Sequence, residues 1–172
     1  MIWSKFKYPF LTVVLTAILC ACSISYKFNG ASIDYSKTKT ITIEDFVNRA
    51  PYQWAQTAPI FNSKLKDMYA SQTRLQQVRR NGDLVVSGEI TGFDRTNKGI
   101  SSDGRSNMLQ IRMTVNVRFT NTVNQTENFE RQFSATYDMS STTNFTSVQQ
   151  AAVEQMSQQL CDQIFNATVA NW

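Results

Sequence analysis

The sequence predicts an α+β fold, with two amphipathic helices packed on one face of a four- to five-stranded, mostly antiparallel sheet. The first observation is an uninterrupted alternation of apolar and polar residues over 108–119, which is typical of a strand with one apolar face. The other two are segments with apolar residues at helical spacing, over 57–68 and 146–169. Because the strand has an apolar face to cover and both helices carry apolar stripes, the three observations fit one two-layer body.

The long strand is the clearest element in the chain. Its apolar face holds Leu109, Ile111, Met113, Val115, Val117 and Phe119. Its polar face holds Gln110, Arg112, Thr114, Asn116 and Arg118. A helix would distribute the six apolar residues around its whole circumference, so the strand is the better prediction.

Further strands are expected on both sides of this one. Residues 39–43 alternate and predict a first strand. Asn81-Gly82 separates 75–80 from 83–93 and predicts a tight hairpin with a type I′ turn. In the second arm, Gly92 shares the face of Leu84, whereas Phe93 falls on the other face, and the glycines indicate a bulge or a close neighbour. A polar tip over 94–107 then leads into the long strand, and 127–137 returns beside it.

Both helices have recognisable starts. Thr57 or Ala58 is expected to cap the first helix before Pro59, and this helix should run for about three turns. A capping box beginning at Thr146 or at Ser147 predicts the start of the second helix, which should continue to about residue 169.

The first 21 residues have the pattern of a secretory signal peptide. Lys5 and Lys7 precede an apolar run over 8–19, which is too short to span a membrane. The run ends in Leu19-Cys20-Ala21-Cys22, which resembles the lipobox of bacterial lipoproteins. That resemblance implies cleavage before Cys22, a diacylglyceride and an N-acyl chain on this residue, and a single domain over 22–172. The alternative is an ordinary signal peptide that is cut near Ala21.

Charge and cysteine content argue against a nucleic-acid-binding protein and against a disulfide-stabilised one. Two of the 17 basic residues belong to the signal segment, which leaves 15 against 13 acidic residues and gives no case for nucleic-acid binding. Besides Cys22, the mature chain has Cys161, so an intramolecular disulfide is not expected. Cys161 is predicted to be a packed, inert thiol of the second helix.

Catalytic and metal-binding residues are scarce. The chain contains no histidine, so imidazole-based triads and the commonest metal ligand are absent from the sequence. Glu89, Asp94 and Asp103 are carboxylates that a hydrolase could pair, but on a strand and a loop they fit solvated charges better. We therefore expect no enzyme, no metal and no cofactor beyond the acyl chains.

Four further stretches resemble the LptE family of lipopolysaccharide-assembly lipoproteins, in the form found in Bacteroidetes. They are Phe28-Asn-Gly-Ala-Ser-Ile33, Asn81-Gly-Asp-Leu84 with Gly88-Glu-Ile-Thr-Gly-Phe93, Val115-Asn-Val-Arg-Phe-Thr-Asn-Thr122, and Ile164-Phe-Asn-Ala-Thr-Val-Ala-Asn-Trp172. The resemblance implies two helices on a mixed sheet. It also implies an outer-membrane lipoprotein that plugs and helps to assemble the LptD β-barrel for transport of lipopolysaccharide to the outer leaflet.

In that role the polar face of the long strand is the candidate barrel-facing surface, although it serves equally well as a face exposed to water. Basic residues are the candidates for lipopolysaccharide contact, because phosphates are bound by arginine and lysine. They are Arg95, Lys98 and Arg105 at the polar tip, with Arg79 and Arg80 as second candidates.

The competing hypothesis is a stand-alone periplasmic ligand-binding lipoprotein. It rests on aromatic residues that could line a pocket, namely Tyr52, Trp54 and Phe93.

Overall fold

The computed structural model describes residues 31–98 and 108–171. The signal segment, Cys22 and Arg105 lie outside these ranges, so the predictions made for them stay predictions. The elements in chain order are β1 (Ala31–Ser32), β2 (Thr40–Ile43), β3 (Val47–Asn48), α1 (Thr57–Gln72), β4 (Gln76–Gln77), β5 (Leu84–Lys98), β6 (Met108–Asn121), a 3-10 turn (Gln125–Glu127), β7 (Phe129–Ser140), α2 (Phe145–Thr168) and β8 (Ala170–Asn171).

The main sheet is mixed and has six strands. Its order is β4-β2-β5-β6-β7, and β3 also pairs with β5. The pairings of β2 with β4, β2 with β5 and β3 with β5 are parallel, whereas β5, β6 and β7 are antiparallel neighbours. Strands β1 and β8 form a separate antiparallel pair. The predicted α+β fold is confirmed, and the sheet has six strands instead of four to five because the two-residue strand β3 was not predicted.

Both helices pack on the apolar face of the sheet. The ring centroids of Tyr69 and Phe165, near the C-terminal ends of α1 and α2, are 5.3 Å apart. Near the opposite ends, Tyr52 lies 5.8 Å from Phe145, so the helices run in the same direction. Between helices and sheet lies one core whose largest fully buried residues include Phe46, Phe61, Leu65, Ile90, Ile111, Met113, Phe119, Met156, Leu160 and Ile164. Burial of side chains of this size is the main stabilising term of such a body.

The hairpin predicted at Asn81-Gly82 is wrong. Strand β2 lies between β4 and β5, and all three are parallel, so the turn carries the chain across β2 instead of reversing it. Asn81 has the predicted positive φ, of 57°. Gly82 is needed for close approach, since a Cβ there would lie 2.6 Å from the amide nitrogen of Thr42. The dipeptide signals a tight turn locally, but it carries no information about which strand lies next to it.

Asp83 fixes this crossover to β2. Its carboxylate accepts hydrogen bonds from the backbone N–H groups of Lys39 (2.8 Å) and Thr40 (2.9 Å), and from the Thr40 hydroxyl (2.9 Å). The hydrogen bond from the Lys39 N–H and those from Thr40 hold the pKa of the Asp83 carboxyl below its ordinary value. The Asn81-Gly82-Asp83 stretch therefore has a structural role, which is to fasten the crossover to the start of β2.

A β-bulge in β5 changes which residues face the helices. The register of β5 with β6 shifts between Ile90 and Gly92, so Thr91 is an extra residue on the bulged strand. As a result Phe93 pairs with Met113 on the helix side and Gly92 pairs with Thr114 on the other side. The bulge is one of the two alternatives that the glycines indicated, but the faces assigned to Gly92 and Phe93 were wrong because the alternation was continued through it.

The helix starts also differ from their predictions. Gln56 is the N-cap of α1 and makes no side-chain cap hydrogen bond, while Thr57 is buried in the first turn. α1 has 16 residues, more than the three turns expected. Asn144 caps α2, since its side chain accepts a hydrogen bond from the Thr146 N–H at 3.0 Å. The predicted capping boxes at Thr146 and Ser147 thus lie inside the helix, because asparagine is as good an N-cap as serine or threonine.

The polar tip is shorter than predicted. Residues 94–98 continue β5 and pair with β6 as far as Lys98 with Met108. Residues 99–107 lie outside the described ranges. The return strand begins at Phe129 and extends to Ser140, three residues beyond its predicted end. The low strand propensity of Asp94, Asn97 and Lys98 is overridden here because the neighbouring strand β6 supplies the ladder of hydrogen bonds.

Candidate functional site

The side of the sheet that faces away from both helices is the candidate site. Register places its side chains on one surface, which we call the polar face. It comprises Ser87, Glu89, Asp94, Thr96 and Lys98 of β5, Gln110, Arg112, Thr114, Asn116 and Arg118 of β6, and Glu130, Gln132, Ser134, Thr136 and Asp138 of β7. None of them is buried. The five residues of β6 singled out from sequence therefore lie where the alternation predicts, as the middle row of a three-strand surface.

Two groups of cross-strand bonds order this surface. At the end near the β6–β7 turn, Arg118 and Asn116 both donate to the Glu130 carboxylate, with Asn116 at 2.9 Å from Oε1. The hydrogen bond from Asn116 and those from Arg118 hold the pKa of the Glu130 carboxyl below its ordinary value. This part of the polar face consequently presents charges that are already neutralised by their neighbours.

The second group lies near the other end of the same strands. Lys98 Nζ is 2.7 Å from one oxygen of Asp138, and the Gln110 amide donates to the other at 2.9 Å. The hydrogen bond from Lys98, followed by that from Gln110, holds the pKa of the Asp138 carboxyl below its ordinary value. Lys98 thus makes an ion pair across three strands, on the polar face.

Arg112 lies on β6 between these two groups of hydrogen bonds, and it differs from Arg118 and Lys98 in its lack of a carboxylate partner among the described residues. It pairs in register with Asp94 and with Thr136, it is exposed, and it forms no ion pair with any residue of the described ranges. A guanidinium with free donors at the centre of a polar surface is suited to bind a partner's carboxylate or carbonyl groups.

Of the basic residues predicted to bind lipopolysaccharide, the four that lie in the described ranges do not form one cluster. Arg95 pairs with Ile111 on the helix side of the sheet, where its guanidinium lies 5.9 Å from the centre of the Phe145 ring, whereas Lys98 is on the polar face. Arg79 and Arg80 are exposed near the start of β5, and Arg95 is near its end. At about 3.3 Å per residue, these two groups are on the order of 35 Å apart.

Two of the three aromatic residues proposed to line a ligand pocket, Tyr52 and Phe93, pack together instead. The rings of Tyr52 and Phe93 are stacked at 4.9 Å, and Phe145 closes the cluster at 6.0 Å from Phe93. A cleft of about 850 Å³ lies elsewhere, between the β6–β7 turn and the C-terminal end of α2. Its lining includes Leu84, Phe119, Asn121, Phe129, Arg131 and Thr168.

The carboxylates considered for hydrolysis are poorly placed. Glu89 forms an ion pair with Arg49 at 3.2 Å. Asp94 lies further along the same strand, about 15 Å away by strand rise, which is too far for the paired carboxyl groups of a glycosidase. Asp103 is outside the described ranges. Cys161 is buried, and burial raises the pKa of its thiol to about 12, so it is a packing residue as predicted.

Glu130 and Asp138 are the important site residues that the sequence reasoning missed. The alternation of β7 drew attention to its apolar side, whereas these carboxylates are on its other side. Their significance depends on which β6 residues stand opposite them, and no local pattern shows that. Within 31–98 and 108–171, no helix has the length and apolar character needed to cross a membrane, and no group of metal-ligand side chains occurs.

Comparison with known proteins gives one family match in sequence and several solved structures of similar fold. A sequence profile of LptE, described as lipopolysaccharide-assembly, matches residues 38–168. Similar solved structures include a minor lipoprotein from Acinetobacter baumannii (15% identity, covering 74% of this chain and 89% of that one, TM-score 0.50). Others are an uncharacterized lipoprotein B from Nitrosomonas europaea (14%, 74% and 79%, TM-score 0.50) and the rare lipoprotein B from Shewanella oneidensis (10%, 75% and 92%, TM-score 0.52).

At these identities the structural likeness shows the fold alone. A search of curated protein sequences finds no match.

Proposed function

The chain belongs to the LptE family of lipopolysaccharide-assembly proteins, and from this premise we propose that it is an outer-membrane lipoprotein that plugs the LptD β-barrel. In this role it helps the barrel to assemble and supports the transport of lipopolysaccharide to the outer leaflet. The observation that carries the proposal is the polar face, a three-strand surface rich in hydrogen-bonding groups and backed by a packed core.

The chemistry of the polar face suits the inside of a large barrel. The lumen of such barrels is polar, and wide barrels are commonly filled by a plug. A plug has to place its surface against this wall without leaving buried charges unpaired, which would be costly. The ion pair of Arg118 with Glu130 and that of Lys98 with Asp138 meet this requirement before any partner binds.

Lipid anchorage at Cys22 is part of the proposal. Ala31 of β1 follows Cys22 by about nine residues, which span at most about 32 Å when fully extended. Because stable anchoring takes more than one acyl chain, a diacylglyceride together with an N-acyl chain would hold the body permanently at the membrane. The protein then faces the periplasm and the interior of the barrel.

We further propose that lipopolysaccharide is contacted directly by basic residues of the polar tip, 94–107. Arg95 is exposed, and it forms no ion pair among the described residues, so its guanidinium has donors free for phosphate. Arg105, in the sequence that joins β5 to β6, is its proposed companion. Lys98 is a weaker candidate because it is held by Asp138, and Arg79 and Arg80 are at the other end of β5.

The test is co-purification of the tagged, full-length protein from outer membranes in mild detergent. The expected result is a stoichiometric β-barrel partner of the LptD type, identified by mass spectrometry. Recovery of the protein as a free monomer would overturn the proposal.

A pair of variants examines the surface itself. Arg112→Glu reverses a charge at the centre of the polar face, and Arg74→Glu reverses an exposed charge just beyond α1. Barrel recovery should fall with Arg112→Glu and stay unchanged with Arg74→Glu, while both variants keep the far-UV circular dichroism of the unaltered protein.

A second candidate function, a stand-alone ligand-binding lipoprotein, is favoured by one observation, the cleft of about 850 Å³. Its volume falls in the range of small-molecule sites. Thermal stabilisation by a defined amphiphile that is lost in Phe119→Ala, together with the absence of any barrel partner, would support this function instead.

A further inference from the structure

Strand β7 is an edge of the sheet that the described part of the chain leaves open. It has twelve residues, contains no proline, and pairs with β6 in a register without any break. The opposite edge, β4, is only two residues long. Since natural proteins usually shorten, bend or cover exposed edges, a long and regular edge calls for an explanation.

The direction in which the N–H and C=O groups of β7 point can be derived from the carbonyl groups of β6. The Thr114 carbonyl accepts a hydrogen bond from the Thr91 hydroxyl at 3.5 Å, so it points from β6 towards β5. The Asn116 carbonyl also points towards β5, because a Cβ at Gly88 would lie 2.1 Å from its oxygen. Their partners in register on β7, Ser134 and Gln132, therefore receive no ladder hydrogen bond from β6.

The N–H and C=O groups of Ser134 and Gln132 must then point away from β6. The period of two extends this direction to Glu130, Thr136 and Asp138. The Gln163 amide of α2 donates to the Ser134 carbonyl at 3.1 Å, which independently locates that carbonyl at the edge. Within the described ranges, the outward N–H and C=O groups of these five residues have no other hydrogen-bond partner.

We propose that the open edge of β7 accepts an extended segment of the barrel partner as an additional strand. This inference rests on the proposed function and adds the mode of contact. Main-chain hydrogen bonds supply the affinity in such strand addition, and alternate side chains supply the specificity.

The side chains of β7 define what this segment should look like. On the helix side the half-buried Phe133 and Tyr137 would lie beside apolar residues of the added strand. On the other side Gln132, Ser134 and Thr136 would lie beside polar residues. Because the strands of a closed barrel already pair on both sides, a segment with this alternation would come from an extended loop or terminal segment of the barrel partner that reaches the lumen.

A second copy of this chain fits the edge less well. Antiparallel pairing of two β7 strands about Ser134 would place Glu130 of one copy opposite Asp138 of the other. Like charges directly opposite each other destabilise a pair of strands. The nearby cations Lys98 and Arg118 are already engaged within their own chains, so a second copy would bring no unpaired cation to this position.

The test compares Thr136→Pro with Thr136→Val in the full-length protein, recovered from outer membranes with its partner. Both variants remove the Thr136 hydroxyl, but only proline also removes the outward N–H. Because this N–H points away from β6, the backbone hydrogen bonds between β6 and β7 are retained in both variants. Recovery of the barrel should fall about tenfold with Thr136→Pro and remain at the unaltered level with Thr136→Val. Equal recovery with both variants would overturn the inference.

A second measurement covers the case in which Thr136→Pro reduces the amount of folded protein. A photo-crosslinking residue at Gln132 should attach to one extended segment of the barrel, and one at Gln158, on the exposed surface of α2, should not. Crosslinks between two copies of this chain, or none at Gln132 while the barrel is recovered, would contradict the inference. Absence of the barrel from the unaltered protein would instead refute the proposed function.

Discussion

Arg118 donates two hydrogen bonds to the same carboxylate oxygen of Glu130, from Nε at 3.1 Å and from Nη2 at 2.9 Å. Asn116 occupies the other oxygen. The two strands are therefore joined by side chains as well as by their backbone ladder. Because all three residues lie on the polar face, this geometry is a property of the surface proposed to meet the barrel.

The first prediction concerns acid stability. The pKa of Glu130 in the folded protein lies below its ordinary value of 4.5. Its contribution to stability is thus fully present above pH 4.5 and is lost as the pH falls through the folded-state pKa. Glu130→Gln should lower the urea midpoint at pH 7 and make it less dependent on pH between about 5 and 3.

The matched control is Glu44→Gln, which alters an exposed carboxylate without an ion pair in the described ranges. It should leave the pH profile of the urea midpoint almost parallel to that of the unaltered protein. Identical profiles for Glu130→Gln and Glu44→Gln would contradict the role given to Glu130.

The second prediction concerns the close approach of β5 to its neighbours. A Cβ at Gly88 would lie 2.1 Å from the Asn116 carbonyl oxygen and 2.6 Å from Phe46 Cε1. Gly88→Ala should therefore lower the free energy of unfolding by about 2–3 kcal/mol or more, because backbone and core have to move apart. Gly92→Ala, whose Cβ would meet only side-chain atoms at 3.2 Å, should cost less in the same urea titration.

The third prediction concerns a buried hydroxyl pair. Thr168 Oγ1 donates to the Ile164 carbonyl at 2.8 Å, so the Tyr69 hydroxyl donates to Thr168. Tyr69→Phe removes the donor and leaves the Thr168 bond to Ile164 intact, for a loss of about 1 kcal/mol. Thr168→Val leaves the Tyr69 hydroxyl buried without a partner and should cost about 1–3 kcal/mol. Thermal unfolding that ranked the two variants in the opposite order would argue against this direction of donation.

The fourth prediction concerns the anchor. Cys22→Ala should abolish incorporation of labelled palmitate and release the body from the membrane, since Cys22 is the proposed site of acylation. Cys161→Ala is the control, because this buried thiol should carry no label. Labelling that persisted in Cys22→Ala would show that another residue is acylated.

Sequence reasoning captured the elements whose signal is local. The alternation over 108–119 fixed a strand and its two faces, because one side of β6 packs on the helices and the other does not. The predictions failed where the position of a neighbouring strand determines the structure. Asn81-Gly82 is a tight turn, but only the tertiary structure shows that β2 runs between the strands it joins.

In the candidate site, too, the sequence predicted what depends on local alternation but not what depends on a neighbouring strand. Arg112 and Arg118 were placed correctly on one face, yet the difference between them could not be predicted. On β7 Arg118 has Glu130 opposite it, whereas Arg112 has Thr136 there and forms no ion pair with Asp94, its partner in register on β5. This difference depends on the register of β6 with β7, which is set by the whole length of both strands and by the turn between them.

The short pairing of β1 with β8 has a mechanical consequence. Ala31 is held opposite Asn171, and Ser32 opposite Ala170, so the first described strand grips the residues that directly follow α2. Tension applied through the proposed amino-terminal tether would act on the carboxyl end of the longer of the two described helices as well as on the chain that follows β1. The first and last described strands thus form one unit, through which the proposed anchor at Cys22 would pull on the body.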